Sequence, residues 1–230
     1  MSGLGYLYWK QVLSTLREII PVYDKVNRVI SLGKDDSYRY LGISENVKPG
    51  DLVLDAGSGF GNMSLMTQKI IANEIRIIMY DPLLEMLQNS REYIIVESLS
   101  CGIFENIPFK DNSFDIVMCG YSLRDAIDLE KAVYEIHRIL KKGGRFIIVD
   151  LGKPDKKIIR MGVSIYLKYI LKIFAYIVAG KNGLKFKTLY GTYTKWPENH
   201  VLYSRLKKYF SNVKFKKKMM GGSVVISATK

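Results

Sequence analysis

Residues 53 to 65, VLDAGSGFGNMSL, constrain this chain more than any other stretch. Leu52, Val53 and Leu54 form an apolar run that Asp55 ends. Gly57, Gly59 and Gly61 follow at alternate positions, and Met63, Leu65 and Met66 resume an apolar pattern. The pattern predicts a buried strand, a glycine-rich turn and a helix. Glycine has no side chain and tolerates positive φ, so such a turn lets backbone come close to a ligand. The helix start then offers that ligand free N–H groups. The dinucleotide fingerprint G-x-G-x-x-G fails here, because Asn62 stands where its third glycine belongs. D-x-G-x-G-x-G instead suits a ligand with no pyrophosphate but with a positively charged amino-acid end. S-adenosylmethionine (SAM) is such a ligand, and Asp55 is expected to face its ammonium and sulfonium side. IRIIMYDP, residues 75 to 82, reads as the next buried strand and ends in Asp81, 26 residues after Asp55. A carboxylate there accepts the ribose hydroxyls of an adenosine.

The rest of the chain alternates in the same way. Residues 4 to about 32 read as helical, broken near Pro21. Strand 52–55 leads to helix 61–73, strand 75–80 to helix 82–89, and a short strand near 93–96 to an irregular loop. Strand 114–119, helix 127–141 and strand 144–150 follow, with KKGG at 141–144 as a helix stop. Strand–helix alternation with continuous apolar strands means an α/β fold with a parallel sheet covered on both faces. Ligands bind outside the carboxyl ends of such strands. Asp55, Asp81, the 119–125 loop and the residues after Asp150 share that edge. Residues 158–180 form a long apolar helix candidate in which Ser164, Lys168 and Lys172 recur every four residues. It fits a lid over the ligand edge, a helix lying in a membrane interface, or a core helix packed on the sheet. Its interior lysines argue against spanning. VKFKKK and SVVISATK, joined by Gly221-Gly222, read as a hairpin on the sheet edge.

At 230 residues, 48% of them hydrophobic, the chain suits one domain, 1–230, with an N-terminal helical cap at 1–45 and a helical lid insertion at 156–198. Cys101 and Cys119 give neither a disulfide framework nor metal-ligand spacing, so no metal is expected and a reducing, cytoplasmic setting is. Lys10 and Arg17 interrupt the apolar residues at the start, so no signal-peptide pattern is present. The net charge of +13 implies an anionic partner, either a membrane surface or nucleic acid. The lysines between 207 and 218 read either as a solvated face, the default for a charged cluster, or as a basic face able to attract anionic headgroups and hold a cytoplasmic protein peripherally at the inner membrane face.

Three further segments carry a family resemblance: YDKVNRVISLG (23–33), ENIPFKDNSFDIV (105–117) and YSLRDAIDLEKAVYEIHRILKKGGRFIIVDLGKP (121–154). With the glycine motif they resemble the UbiE/MenG group of ubiquinone and menaquinone biosynthesis methyltransferases. The resemblance covers most of residues 20 to 155. It implies a Rossmann-like class I methyltransferase with a mostly parallel seven-stranded sheet, helices on both faces and an antiparallel C-terminal strand. It also implies SAM as cofactor, held at Asp55, Gly57, Gly59, Phe60 and Asp81. Ser58 and Gly61 in the turn and Pro82 after the second acid complete that cradle. The family's adenine-binding pair falls on Ile103 and Phe104, and Gly120 matches a further cofactor contact. Ile103 departs from the usual Asp or Asn. Ser122 and Asp125 stand where the family has Gly and Asn, and Ser227 stands where a histidine is common.

The resemblance further implies methyl transfer to a ring carbon of a reduced prenylated quinone or related lipophilic phenol. Removing a phenolic proton enriches that carbon, and a hydroxyl with pKa near ~10 needs help at neutral pH. Arg124 is the candidate for stabilising the phenolate, Asp125 is the nearest carboxylate to take the proton, and Tyr23 lines the ring or the methionine end of the cofactor. For Arg124 a salt bridge to Asp125 or Asp128 is the structural alternative. His137 sits on a helix remote from the ligand edge. A nucleic-acid methyltransferase is the second reading, favoured by charge. Against it, CGYSLRD at the end of the fourth strand lacks an Asn-Pro-Pro-Tyr-like segment for a flipped base. The third reading is a non-catalytic SAM-binding module.

Overall fold

The computed structural model describes residues 3–20, 33–72, 74–90, 94–183, 185 and 187–230. Among these residues, α1 (Tyr6–Ile19) and α2 (Asp35–Ser44) precede β1 (Leu52–Ala56) and α3 (Asn62–Ile71). Then come β2 (Arg76–Asp81), α4 (Leu84–Gln88), β3 (Ser98–Cys101), β4 (Phe114–Gly120), α5 (Leu129–Ile139) and β5 (Leu140–Leu151). After these come α6 (Lys157–Ile165), one π-helical turn (Tyr166–Ile170), α7 (Leu171–Gly183) and α8 (Lys187–Lys195). The chain closes with α9 (Asn199–Tyr209), β6 (Asn212–Lys218) and β7 (Ser223–Thr229). Tyr23 and most of the 23–33 signature lie outside the described residues.

The strands form one seven-stranded sheet in the order β3-β2-β1-β4-β5-β7-β6. β1 to β5 are parallel, and β7 runs antiparallel to both β5 and β6. Successive strand residues alternate faces. Val53, Ile77, Ile116, Met118 and Ile147 pack on one side with Ile43 of α2 and Met63 of α3. Leu54, Val117, Cys119, Phe146 and Ile148 pack on the other with Ile136 of α5 and Leu206 of α9. Both faces are therefore apolar, which is why these strands read as unbroken hydrophobic runs. The order reverses between β1 and β4, so their carboxyl ends border a crevice.

Four boundaries differ from the sequence reading. The third strand is the polar SLSC at 98–101 rather than 93–96, because it is the sheet edge and needs little apolar surface. Ile94 of the expected strand instead packs beside Met79 over the glycine turn. The 127–141 helix starts later, at Leu129, where Asp128 accepts N–H bonds from Glu130 and Lys131. Such a cap contributes ~1 kcal/mol. It also ends earlier: Leu140 is already extended, Lys141 pairs with Asp115 at 2.7 Å, and Gly143 makes the turn at φ +78°. The single helix expected at 158–180 contains a π-turn and breaks at Gly180, whose φ is +58°. Its inward residues Leu167, Leu171 and Ala175 pack with Ile19, Leu151, Leu189 and Tyr193. That cluster stands past the carboxyl end of β5, not on a sheet face.

Candidate active site

The turn after β1 has the expected form. Gly57, Gly59 and Gly61 all have positive φ, at +67°, +54° and +78°. The Gly57 and Ser58 N–H groups donate to the Tyr80 carbonyl at 2.7 and 3.1 Å, tying the turn to the end of β2. Asp81 fixes it from the same side. One carboxylate oxygen accepts the Gly59 N–H at 2.9 Å, and the other accepts the Leu83 N–H at 2.8 Å. Each oxygen keeps a lone pair for a further donor. Asp55 lies deeper. Its Oδ2 accepts both the N–H and the hydroxyl of Ser64, at 3.1 and 2.7 Å. Its Oδ1, like the hydroxyl of Ser58, is buried and has no partner among the described residues.

Burial raises the pKa of both acids to about 6. For Asp55 the two Ser64 hydrogen bonds oppose the shift and the neighbouring Asp81 charge adds to it. Backbone N–H bonds from Leu83 and Gly59 oppose it for Asp81. Each acid thus sits where a positive charge would be welcome.

Part of this turn, with Asp81, borders a cavity that opens to solvent. Gly57, Gly59, Asp81 and Pro82 form one wall, and Ile103 and Phe104 form the next. Tyr80 donates its hydroxyl to the Ile103 carbonyl at 2.8 Å and lies too close to Gly102 for any larger residue there. Trp9, Leu13 and Leu16 of α1 make an apolar wall, and Tyr121, Ser122 and Asp125 close the far side. Of the residues singled out for the cofactor, Asp55, Ser58, Phe60, Gly61 and Gly120 do not line the cavity. Phe60 packs with Leu83 and Met86, Gly61 lies against Ile94 and Met79, and Gly120 lies against Met63. They support the wall from behind.

The sequence reading missed the α1 wall and Ser64, and it placed the 119–125 loop at this edge without giving Ser122 or Tyr121 a role. Ser122 holds the β4 loop to the end of β1 through its hydroxyl, which donates to the Ala56 carbonyl at 2.9 Å. Tyr121 is bulky yet has φ +62°, a conformation that non-glycine residues keep only when their surroundings demand it. The Arg39 guanidinium lies 5.1 Å from its ring centre. Position at the end of the fourth strand was the one available signal for both.

Arg124 and Asp125 diverge. Arg124 does not line the cavity: its guanidinium is almost fully buried and forms an ion pair with Asp150. Asp125 does line it, with its Oδ1 3.9 Å from Arg124 Nε. Burial raises the Asp125 pKa to about 6; Arg124 and a Thr192 hydrogen bond hold it down, while Asp150 and Asp81 push it up. One guanidinium between two carboxylates leaves a spare negative charge, which favours taking up a proton near neutrality. The arrangement can hold a cationic nucleoside at Asp81, with Asp55 buried behind the wall. It can also accept a proton at Asp125 from a group seated against Trp9, Leu13 and Leu16.

The residues fit SAM: bare backbone at Gly57 and Gly59 leaves room, Asp81 offers two acceptors, and Asp55 Oδ1 lacks a partner. Solved structures share the fold. A SAM-dependent methyltransferase of Thermotoga maritima superposes with a TM-score of 0.61 at 20% identity, over 94% of this chain and 99% of its own. One from Aquifex aeolicus does so at 0.58 and 15%, over 90% and 97%. Among sequences, a demethylmenaquinone methyltransferase of Symbiobacterium thermophilum is 29% identical over 84% of this chain and 80% of its own length. That of Bacteroides fragilis is 28% identical over 96% and 93%. The ubiE/COQ5 methyltransferase family itself matches from residue 7 to residue 230. A match over that length, on a cradle shaped for a sulfonium nucleoside, makes this chain a SAM-dependent methyltransferase belonging to the ubiE/COQ5 family.

Proposed function

We propose that the chain methylates a ring carbon of a reduced prenylated quinone, or a closely related lipophilic phenol. When bound, SAM supplies an electrophilic methyl group. The protein's part is to seat the ring and make its carbon electron-rich. Asp125 accepts the proton of a ring hydroxyl, the phenolate so formed pushes charge onto the neighbouring carbon, and after transfer that carbon gives up its own hydrogen as a proton, which returns to the ring oxygen and restores the aromatic ring. Arg124, held by Asp150, keeps Asp125 ionised at neutral pH and so positions the base instead of touching the ring. Trp9, Leu13 and Leu16 exclude water from the ring. Tyr23 is kept as a ring-lining candidate. Helices 156–198 act as the lid, since Thr192 of α8 reaches Asp125. The substrate's tail places the enzyme at the inner face of a membrane, in the cytoplasm.

The observation that carries this reading is a carboxylate with pKa about 6 in the same cavity as Asp81, facing an apolar aromatic wall. Two curated relatives named as demethylmenaquinone methyltransferases support the quinone class. The test is purified protein with methyl-labelled SAM and a panel of reduced quinones, plain phenols and total RNA. Label on the ring carbon of a demethylated quinol is expected. Label on RNA alone, or on none of them, overturns the proposal.

A further inference from the structure

The outward side of residues 157–177 is built unlike a water-facing surface. The rod formed by α6, the π-turn and α7 already buries one stripe, Val163, Leu167, Leu171 and Ala175. Its other side would ordinarily be charged. Instead Ile158, Met161, Ile165, Ile173 and Ile177 stand out from it, with Ile158 80% and Ile177 71% exposed. The π-turn adds a residue to the rod midway, yet apolar residues continue outward on both sides of it. Contiguous exposed apolar surface of this kind marks an interaction site.

The charges around it identify the partner. Residues 156–195 hold nine Lys or Arg and no Asp or Glu. Two of these lysines sit on tyrosine rings, Lys168 5.1 Å from the Tyr169 ring centre and Lys195 5.4 Å from Tyr8, and Lys10 of α1 lies 4.5 Å from Tyr6. Tyrosine with lysine is the composition of a headgroup layer, where an aromatic body meets acyl carbon and a cation meets phosphate. No helix among the described residues is long and apolar enough to cross a membrane. We infer that this face docks in the plane of an anionic phospholipid bilayer, with the isoleucine stripe in the acyl boundary and the lysines at the phosphates.

The docking face and the cavity share their walls. Leu16 of α1 lines the cavity and also packs on the cluster beneath the rod, and α8 packs against the turn that carries Asp125. A lipid-tailed acceptor would therefore pass from bilayer to cavity along these helices. That delivery role rests on the quinol reading above; the docking does not.

The test is flotation of the full chain with vesicles of phosphatidylcholine, with and without phosphatidylglycerol. Binding to the anionic vesicles, weakened about tenfold in high salt, is expected. Ile158→Glu with Ile177→Glu should lower that binding at least tenfold. Melting temperature, SAM affinity and methylation of a short-tailed soluble quinol should stay unchanged. Charge reversal at Lys157 and Lys168 should lower it as well. Vesicle binding unchanged in the isoleucine variant, or absent in the wild type, overturns the inference. So does a concentration-dependent dimer that the same variant abolishes, which would assign the face to a second copy of this chain. Loss of methylation of the soluble quinol by wild-type protein counts against the proposed reaction and leaves the docking result standing.

Discussion

Gly57→Ala is expected to lower SAM affinity about 100-fold, measured by calorimetry. The residue has φ +67°, which costs an L side chain roughly 1–2 kcal/mol. Its new Cβ would lie 2.4 Å from Ser122 Cβ, 2.6 Å from Ser122 Oγ and 3.1 Å from Phe104 Cζ. Ser122 cannot step aside freely, because its hydroxyl holds the Ala56 carbonyl. Relieving the overlap therefore moves the cavity wall itself, and overpacking of this kind costs about 1–3 kcal/mol. Gly50→Ala is the matched control. Gly50 also has positive φ, +85°, but no atom lies within 4 Å of the added carbon. It should lose about 1 kcal/mol of stability and no SAM affinity. Equal loss of affinity in both variants would mean that strain alone, and not the cradle, sets binding.

Asp125→Asn should lower kcat/KM by about 10²–10⁴ while SAM still binds. The amide keeps the shape and the acceptor oxygen but cannot take a proton. The pH profile supplies a second readout. The base works only when ionised, so the wild-type rate should fall as pH drops through about 6. Burial is the main reason that limb lies above an ordinary carboxylate, with Arg124 opposing it. Measured as kcat at saturating SAM, which removes the acid limb that Asp55 and Asp81 give to cofactor binding, the variant should lose the limb. The family resemblance expects Asn at this position, so the base role assigned to Asp125 is a feature of this chain and is not carried over from the resemblance. A variant with undiminished rate and the same limb would show that the proton leaves by another route.

How much of this was legible in the sequence depends on the kind of residue. The glycine turn and Asp81 were legible because they act through backbone form and strand position, which local patterns report. Ile103 and Phe104 were legible through resemblance alone. The α1 wall was not: Trp9, Leu13 and Leu16 reach the cavity only because α1 is carried across the chain to meet a loop after β2, and no local pattern encodes that meeting. The separation of Arg124 from Asp125 was equally hidden. Adjacent residues in a 3₁₀ turn point different ways, and the partner that captures Arg124 is Asp150, 26 residues on. The third strand was misplaced for the opposite reason. YIIV at 93–96 has the stronger strand composition, but an edge position rewards polar residues such as Ser98 and Ser100.

The account's central claim is that buried acids at the sheet edge welcome a cationic nucleoside, and calorimetric titration with SAM at pH 7.5 and pH 5 tests it most directly. With Asp55 at pKa about 6 before binding, a neighbouring cation favours the ionised form, so binding near that pH releases a proton. Micromolar affinity is expected at the higher pH, about tenfold weaker at the lower one, with proton release visible as a dependence on buffer ionisation heat. No binding at either pH, or affinity that holds or improves on acidification, would contradict it.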